Sequence, residues 1–182
     1  DNLNVFLLKH ESGVKILPAP VDPTQGEAIK LEVSTKVFTS LTRLCDYLII
    51  DAPLGFTDEV LAFLEEIDYI FLVATKDVPS IKNLKICLQI LNRLSYPKER
   101  TMIVLNRADS KVDIEIDEIE KTIQSEINIK IPSDRIVPIS VNKGIPAVIG
   151  AQRSLVSKNI FKMIDFLISK ENEFLIKEKD RS

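Results

Sequence analysis

The sequence predicts an α/β protein, a mostly parallel sheet covered by helices on both faces in three layers. Short apolar runs alternate with longer stretches of helical period, the pattern of repeated βα units. The runs "YLII", "YIFLVA" and "MIVL" are nearly continuous in apolar residues, as strands are when both of their faces are buried. An apolar fraction of 45% over 182 residues is enough for one substantial core. A single domain over residues 1–178 is therefore expected, followed by a solvated tail at 179–182.

The elements follow in order. "VKIL" at 14–17 reads as a short strand, stopped by "PAPVDP", whose prolines force an extended loop. Residues 30–44 read as a helix with Val33, Val37, Phe38 and Leu41 on one face. "DYLIID" at 46–51 reads as a strand. Thr57 can cap a helix running to about residue 67, with Asp58 and Glu59 suiting its positive end. "YIFLVA" is the next strand. Pro79 or Ser80 then opens a helix to about residue 94, with Ile81, Leu84, Leu88 and Leu91 as its buried stripe. "TMIVLN" is another strand, and Ile116, Ile119, Ile123 and Ile127 recur at helical spacing after it. "IPSDRIVPIS" at 131–140 reads as irregular or briefly extended, 141–149 as a short helix, and 155 to about 176 as a long one.

Composition narrows the function classes. A net charge of −3 gives no general attraction to nucleic acid, and no specific nucleic-acid partner is expected. No apolar run reaches the length of a membrane span. Cys45 and Cys87 form no CxxC pair and read as buried free thiols in a reducing compartment, so a cytoplasmic protein is expected. His10, the sole histidine, has no nucleophile or acid beside it in sequence and reads as a surface residue. The acidic run "DIEIDEIE" lacks the spacing and glycine of a calcium loop and suits the positive start of a helix. Lys76, Lys82 and Lys85 form either a solvated face or a partner surface. The stripe Val156, Ile160, Met163, Ile164 and Leu167 in the last helix is read as docking on the sheet, with a peripheral membrane contact as the alternative.

Three stretches point to nucleotide chemistry. In open α/β sheets, ligands collect beyond the carboxyl ends of the strands. Asp51 ends the predicted strand "DYLIID", where an acid can hold Mg²⁺ directly or through water. "DAPLG" sets Gly55 where a backbone amide can meet a γ-phosphate. The plainer reading makes Asp51 a turn cap and Gly55 a tight bend. Asn106 in "VLNRADS" also falls on the carboxyl edge, where its amide offers a base one donor and one acceptor. Its plainer reading is a turn-forming asparagine. The same phrase mimics a guanine-reading pattern, with Asp109 as acceptor. "IPSDRIVP" is a proline-bounded loop presenting main-chain groups and Asp134 near the same edge.

Together and in this order, "DYLIIDAPLGF", "VATKDVPSIKN", "VLNRADS" and "IPSDRIVPISVNKGIP" resemble the MinD/ParA class of P-loop ATPases, over about residues 13 to 168. "LPAPVDP" and the phrase T-x-D-x-P-S-x-K-N make the chain most similar to the CpaE/TadZ branch, which serves pilus assembly. The resemblance implies a role for each matching residue. Asp51 takes the place of the Walker B acid that organises Mg²⁺, with Pro53 and Gly55 in the loop that senses the γ-phosphate. Asn106 contacts adenine with Arg107 beside it, and Pro132, Ser133 and Asp134 form the loop closing over the base. It also implies ATP and Mg²⁺ as cofactors, a homodimer around ATP, and partners among pilus or secretion assembly proteins. Location would be the cytoplasm, at a cell pole or the inner face of the membrane.

The sequence departs from that class at one point. It contains no G-x-x-x-x-G-K-[ST], and its five glycines are too scattered to form such a loop. The expectation is therefore the C-terminal portion of a longer ATPase whose N-terminal βα unit is missing from these residues, inactive on its own. The alternatives are a non-catalytic localisation scaffold with a vestigial nucleotide pocket, or a GTPase that reads guanine through Asn106 and Asp109.

Overall fold

The computed structural model describes residues 3–22, 24, 26, 29–53 and 55–179, which divide into two units, Asp1–Ile67 and Asp68–Ser182. The expected tail at 179–182 lies outside the described residues except for Lys179, as does Pro23 of the proline-rich loop.

In the first unit, β1 (Leu8–Lys9) and β2 (Lys15–Ile16) form an antiparallel hairpin with Leu8 opposite Ile16. Its turn closes through Gly13 at φ +91°, a conformation open to glycine at no steric cost. The predicted strand at 14–17 is thus two residues long, and the sequence reading did not include its partner β1. Helix α1 (Leu31–Leu41) is shorter than the expected 30–44. Helix α2 (Asp58–Leu64) starts as predicted at Thr57, whose hydroxyl oxygen accepts the Val60 N–H at 3.4 Å. The two helices meet through the stacked rings of Phe38 and Phe63, 4.9 Å between centroids. Phe38 and Leu64 are buried beside that contact.

The strand expected over "DYLIID" is not formed. Residues 48–50 lie in no strand, and Ile49 is 87% exposed. An apolar run reports a tendency to be buried, but a strand also needs a neighbour to take its backbone N–H and C=O groups. Cys45, expected to be buried, is exposed in the turn after α1, its thiol donating to the Leu41 carbonyl at 3.3 Å. Cys87 is half-buried, and that burial pushes its thiol pKa up.

The second unit is a parallel sheet flanked by helices. Strands β3 (Ile70–Thr75), β4 (Thr101–Asn106) and β5 (Ile129–Ile131) lie in the order β3-β4-β5, all parallel. Helix α3 (Val78–Arg93) links the first two and packs on β3. Helix α4 (Ile116–Ile123) links β4 to β5 and packs on α3. One core joins Ala74 of β3, Ile103 and Leu105 of β4, Ile81 and Leu84 of α3, and Ile119 and Ile123 of α4. By alternation Met102 and Val104 point to the opposite face, and they are buried too, so β4 is covered on both sides.

The acidic run behaves as expected of a helix start: the Glu118 carboxylate accepts the Glu115 N–H at 3.3 Å. After β5 come α5 (Ile136–Lys143), α6 (Ala147–Gly150) and α7 (Leu155–Lys179), the last packed against β5 as its stripe predicts. The expected irregular stretch at 131–140 shrinks to residues 132–135. Pro138, which reads as a loop boundary, falls in the first turn of α5, where an N–H has no intrahelical partner to lose.

Leu105 sits at the centre of this packing, with no exposed surface. Replacing it with alanine is expected to destabilise the protein by about 3 kcal/mol, read as a lower midpoint in urea unfolding followed by circular dichroism.

Candidate functional site at the carboxyl edge of the sheet

The pairing register sets Thr75, Asn106 and Ile131 level with one another, so three strands end together and release three loops on one edge. Each loop is held by side chains reaching for backbone groups.

After β3, the Asp77 carboxylate accepts the Ser80 N–H at 2.9 Å and the Thr75 hydroxyl, while the Ser80 hydroxyl oxygen accepts the Thr75 N–H at 2.9 Å. Asp77 is thereby the N-cap of α3. After β4 the chain turns at once, with Arg107 in the left-handed region at φ +53°. The Asn106 Oδ1 accepts the Arg107 N–H at 3.0 Å, and the Ala108 N–H donates to the Ile131 carbonyl at 3.0 Å. Among the described residues no group accepts from the Asn106 Nδ2, which leaves its two N–H donors available at the edge.

The third loop is tied to the second. The Ser133 N–H donates to the Asp109 Oδ1 at 2.6 Å, between residues 24 apart in sequence. On its far side the Asp134 Oδ1 accepts the Ile136 N–H at 3.0 Å, at the start of α5. Lys76 reaches over from the first loop, its Nζ donating to the Ser110 carbonyl at 3.3 Å. The N–H and hydroxyl of Ser133, with the Lys76 charge nearby, hold the Asp109 carboxyl below its ordinary range.

Of the residues singled out from the sequence, this edge brings together Asn106, Arg107, Pro132, Ser133 and Asp134. Asp51, Pro53 and Gly55 belong to the first unit, where all three are exposed. Gly55 adopts φ +100° with open space where a Cβ would stand, so backbone conformation rather than room calls for glycine there. Leu54 between them lies outside the described residues. Among the described residues no group of three or more acids, histidines or cysteines is arranged for a metal. The single carboxylate of Asp51 still suits Mg²⁺, which is commonly bound by one or two carboxylates together with phosphate oxygens and water.

The sequence reading placed Asp109 only as a guanine acceptor and did not include Lys76 at the site. Its only signal was the presence of both residues just past strand ends. Open grooves of about 300 Å³ beside Val137, Val141 and Ile145, and of about 420 Å³ beside Lys130, Lys162 and Phe166, lie elsewhere in the unit. No helix among the described residues is long and apolar enough to cross a membrane.

A parallel sheet with a side-chain amide at its carboxyl edge is an arrangement found in nucleotide-binding proteins, and known proteins bear the likeness out. The chain matches the septum site-determining protein MinD of Thermotoga maritima at 25% identity, over 84% of this chain and 58% of that one. It superposes on a ParA family ATPase of Chlorobium tepidum with a TM-score of 0.82 at 26% identity, covering 88% of this chain and 68% of that one. The chain is similar, in sequence and in fold, to the MinD/ParA class of ATPases. MinD of Pyrococcus horikoshii, a structure complexed with Mg-ADP, shares the fold with a TM-score of 0.75 at 20% identity, over 91% of this chain and 68% of that one. No protein-family model matches the chain. It spans about three fifths of the length of the curated MinD/ParA-like relatives it matches.

The first of the three loops generates a pH test. The Thr75 hydroxyl and the Ser80 N–H hold the Asp77 carboxyl below its ordinary 3.8. A value lowered by folding gives stability that is present above the unfolded value and lost as pH falls through the folded one. Asp77→Ala is therefore expected to lower the thermal midpoint at pH 7, and the gap to the wild type should narrow below about pH 4.

Proposed function

We propose that the chain forms the base-reading and magnesium-organising part of a MinD/ParA-like ATPase. In this reading it binds Mg-ATP, dimerises around the nucleotide, and localises or regulates pilus or secretion assembly, as in the CpaE/TadZ branch. The observation that carries the reading is the carboxyl edge itself, where the Asn106 amide stands level with a second loop pinned through Asp109. Asn106 Nδ2 donates to an acceptor nitrogen of adenine, and the second lone pair of Oδ1 accepts from its amino group. The loop of Pro132, Ser133 and Asp134 covers the base. In the first unit, on the resemblance, Asp51 would hold Mg²⁺, directly or through water, and Gly55 would offer its backbone amide to a γ-phosphate.

Mg²⁺ supplies charge neutralisation at the β- and γ-phosphates in such a site. The triphosphate also needs a cradle of backbone amides and a lysine. These 182 residues contain no G-x-x-x-x-G-K-[ST] to form it. The pilus assignment draws on "LPAPVDP" and T-x-D-x-P-S-x-K-N, and the partners remain those that such an assembly offers.

The test uses the full-length gene product in titrations with ATP and Mg²⁺. Asn106→Ala is expected to weaken ATP binding about tenfold, the equivalent of one hydrogen bond of about 1.4 kcal/mol. Asp51→Ala is expected to lower turnover while ATP without metal still binds. A full-length protein that neither binds nor hydrolyses ATP removes the ATPase reading and leaves a localisation scaffold.

A further inference from the structure

We infer that Asp109 is the positioning residue of the base site: it holds the 132–134 loop in place through Ser133. The inference rests on reading this edge as the base site, and it adds a residue to that reading.

The bond between Asp109 Oδ1 and the Ser133 N–H is 2.6 Å long and joins a carboxylate to a backbone donor, one of the stronger classes of hydrogen bond. It is the side-chain tie between the loops that leave β4 and β5. The neighbouring Ala108–Ile131 bond continues the strand pairing by one residue, and Asp134 fixes the other end of the loop on α5. With three free residues between β5 and the turn into α5, one anchor at the middle residue decides where the whole loop sits. Lys76 completes the set, since it bonds the Ser110 carbonyl and keeps a positive charge near the Asp109 carboxylate.

The experiment compares the full-length wild type with Asp109→Ala and Asp109→Asn. ATP and GTP affinities are measured by titration, and backbone exchange over 132–134 is followed without nucleotide. Asp109→Ala is expected to speed exchange of the Ser133 amide and to weaken ATP binding, each roughly tenfold. Asp109→Asn keeps an oxygen that accepts the Ser133 N–H and is expected to recover most of both. Unaltered exchange protection and ATP affinity in Asp109→Ala overturn the inference while the ATP-site reading stands. So does a wild-type preference for GTP that Asp109→Ala abolishes, because the carboxylate then reads guanine. A wild type that binds neither nucleotide, in which Asp109→Ala still loosens the loop, removes the base site and leaves Asp109 a structural tie only.

Discussion

The pairing of β4 on both of its edges is the constraint on which the second unit depends. β3 pairs along 101–106 on one side, β5 pairs with 104–106 on the other and Asn128 bonds both Ile103 backbone groups, while packing buries both faces of the strand. Parallel strands also share a direction, so every loop that follows one of them emerges on the same side. The level positions of Thr75, Asn106 and Ile131 are therefore a by-product of burying Leu105, Val104 and their neighbours. Nothing at the edge has to assemble it separately.

Once the strand ends are level, short polar side chains do the rest. Asp77, Ser80, Asn106, Asp109 and Asp134 each bond a backbone group or partner within the edge, so the loops are fixed by local chemistry before any ligand arrives. Preorganised donors are the ones that lose little on binding. This also recasts the phrase T-x-D-x-P-S-x-K-N. Its Thr, Asp and Ser form the hydrogen-bonded start of α3, and its Pro occupies the first turn, where no intrahelical N–H is lost. Four of its six fixed residues thus have a structural reason to be there.

Features that depend on nearby residues were legible in the sequence. The helix starting at Thr57, the stripe Ile81, Leu84 and Leu91, the strands "YIFLVA" and "TMIVLN", and the isoleucine ladder of α4 all follow from period, caps and propensity. Features that depend on distant partners were not. The run at 48–50 has strand composition but lies in no strand, β5 is three residues long and follows an apolar helix end, and Asp109 meets Ser133 across 24 residues. The same division runs through the candidate site. Asn106 was found because it ends a readable strand. The tie that positions the loop beside it was missed because no local pattern encodes it.

That division bears on what the site can do. The base decides which nucleotide is chosen, and the phosphates and metal decide whether a bond is broken. The two tasks use different groups: side-chain amides and pinned loops for the first, backbone amides, a lysine and Mg²⁺ for the second. At the edge stand the Asn106 amide and the Asp109–Ser133 tie, beside the carboxylates of Asp77 and Asp134 and the Lys76 ammonium. For the second task these 182 residues contain no G-x-x-x-x-G-K-[ST] loop. Binding energy at the base contributes to catalysis only when the reacting phosphate is held in line at the same time. On the proposed reading the base is chosen at this edge, and holding the phosphates is a separate requirement with its own groups.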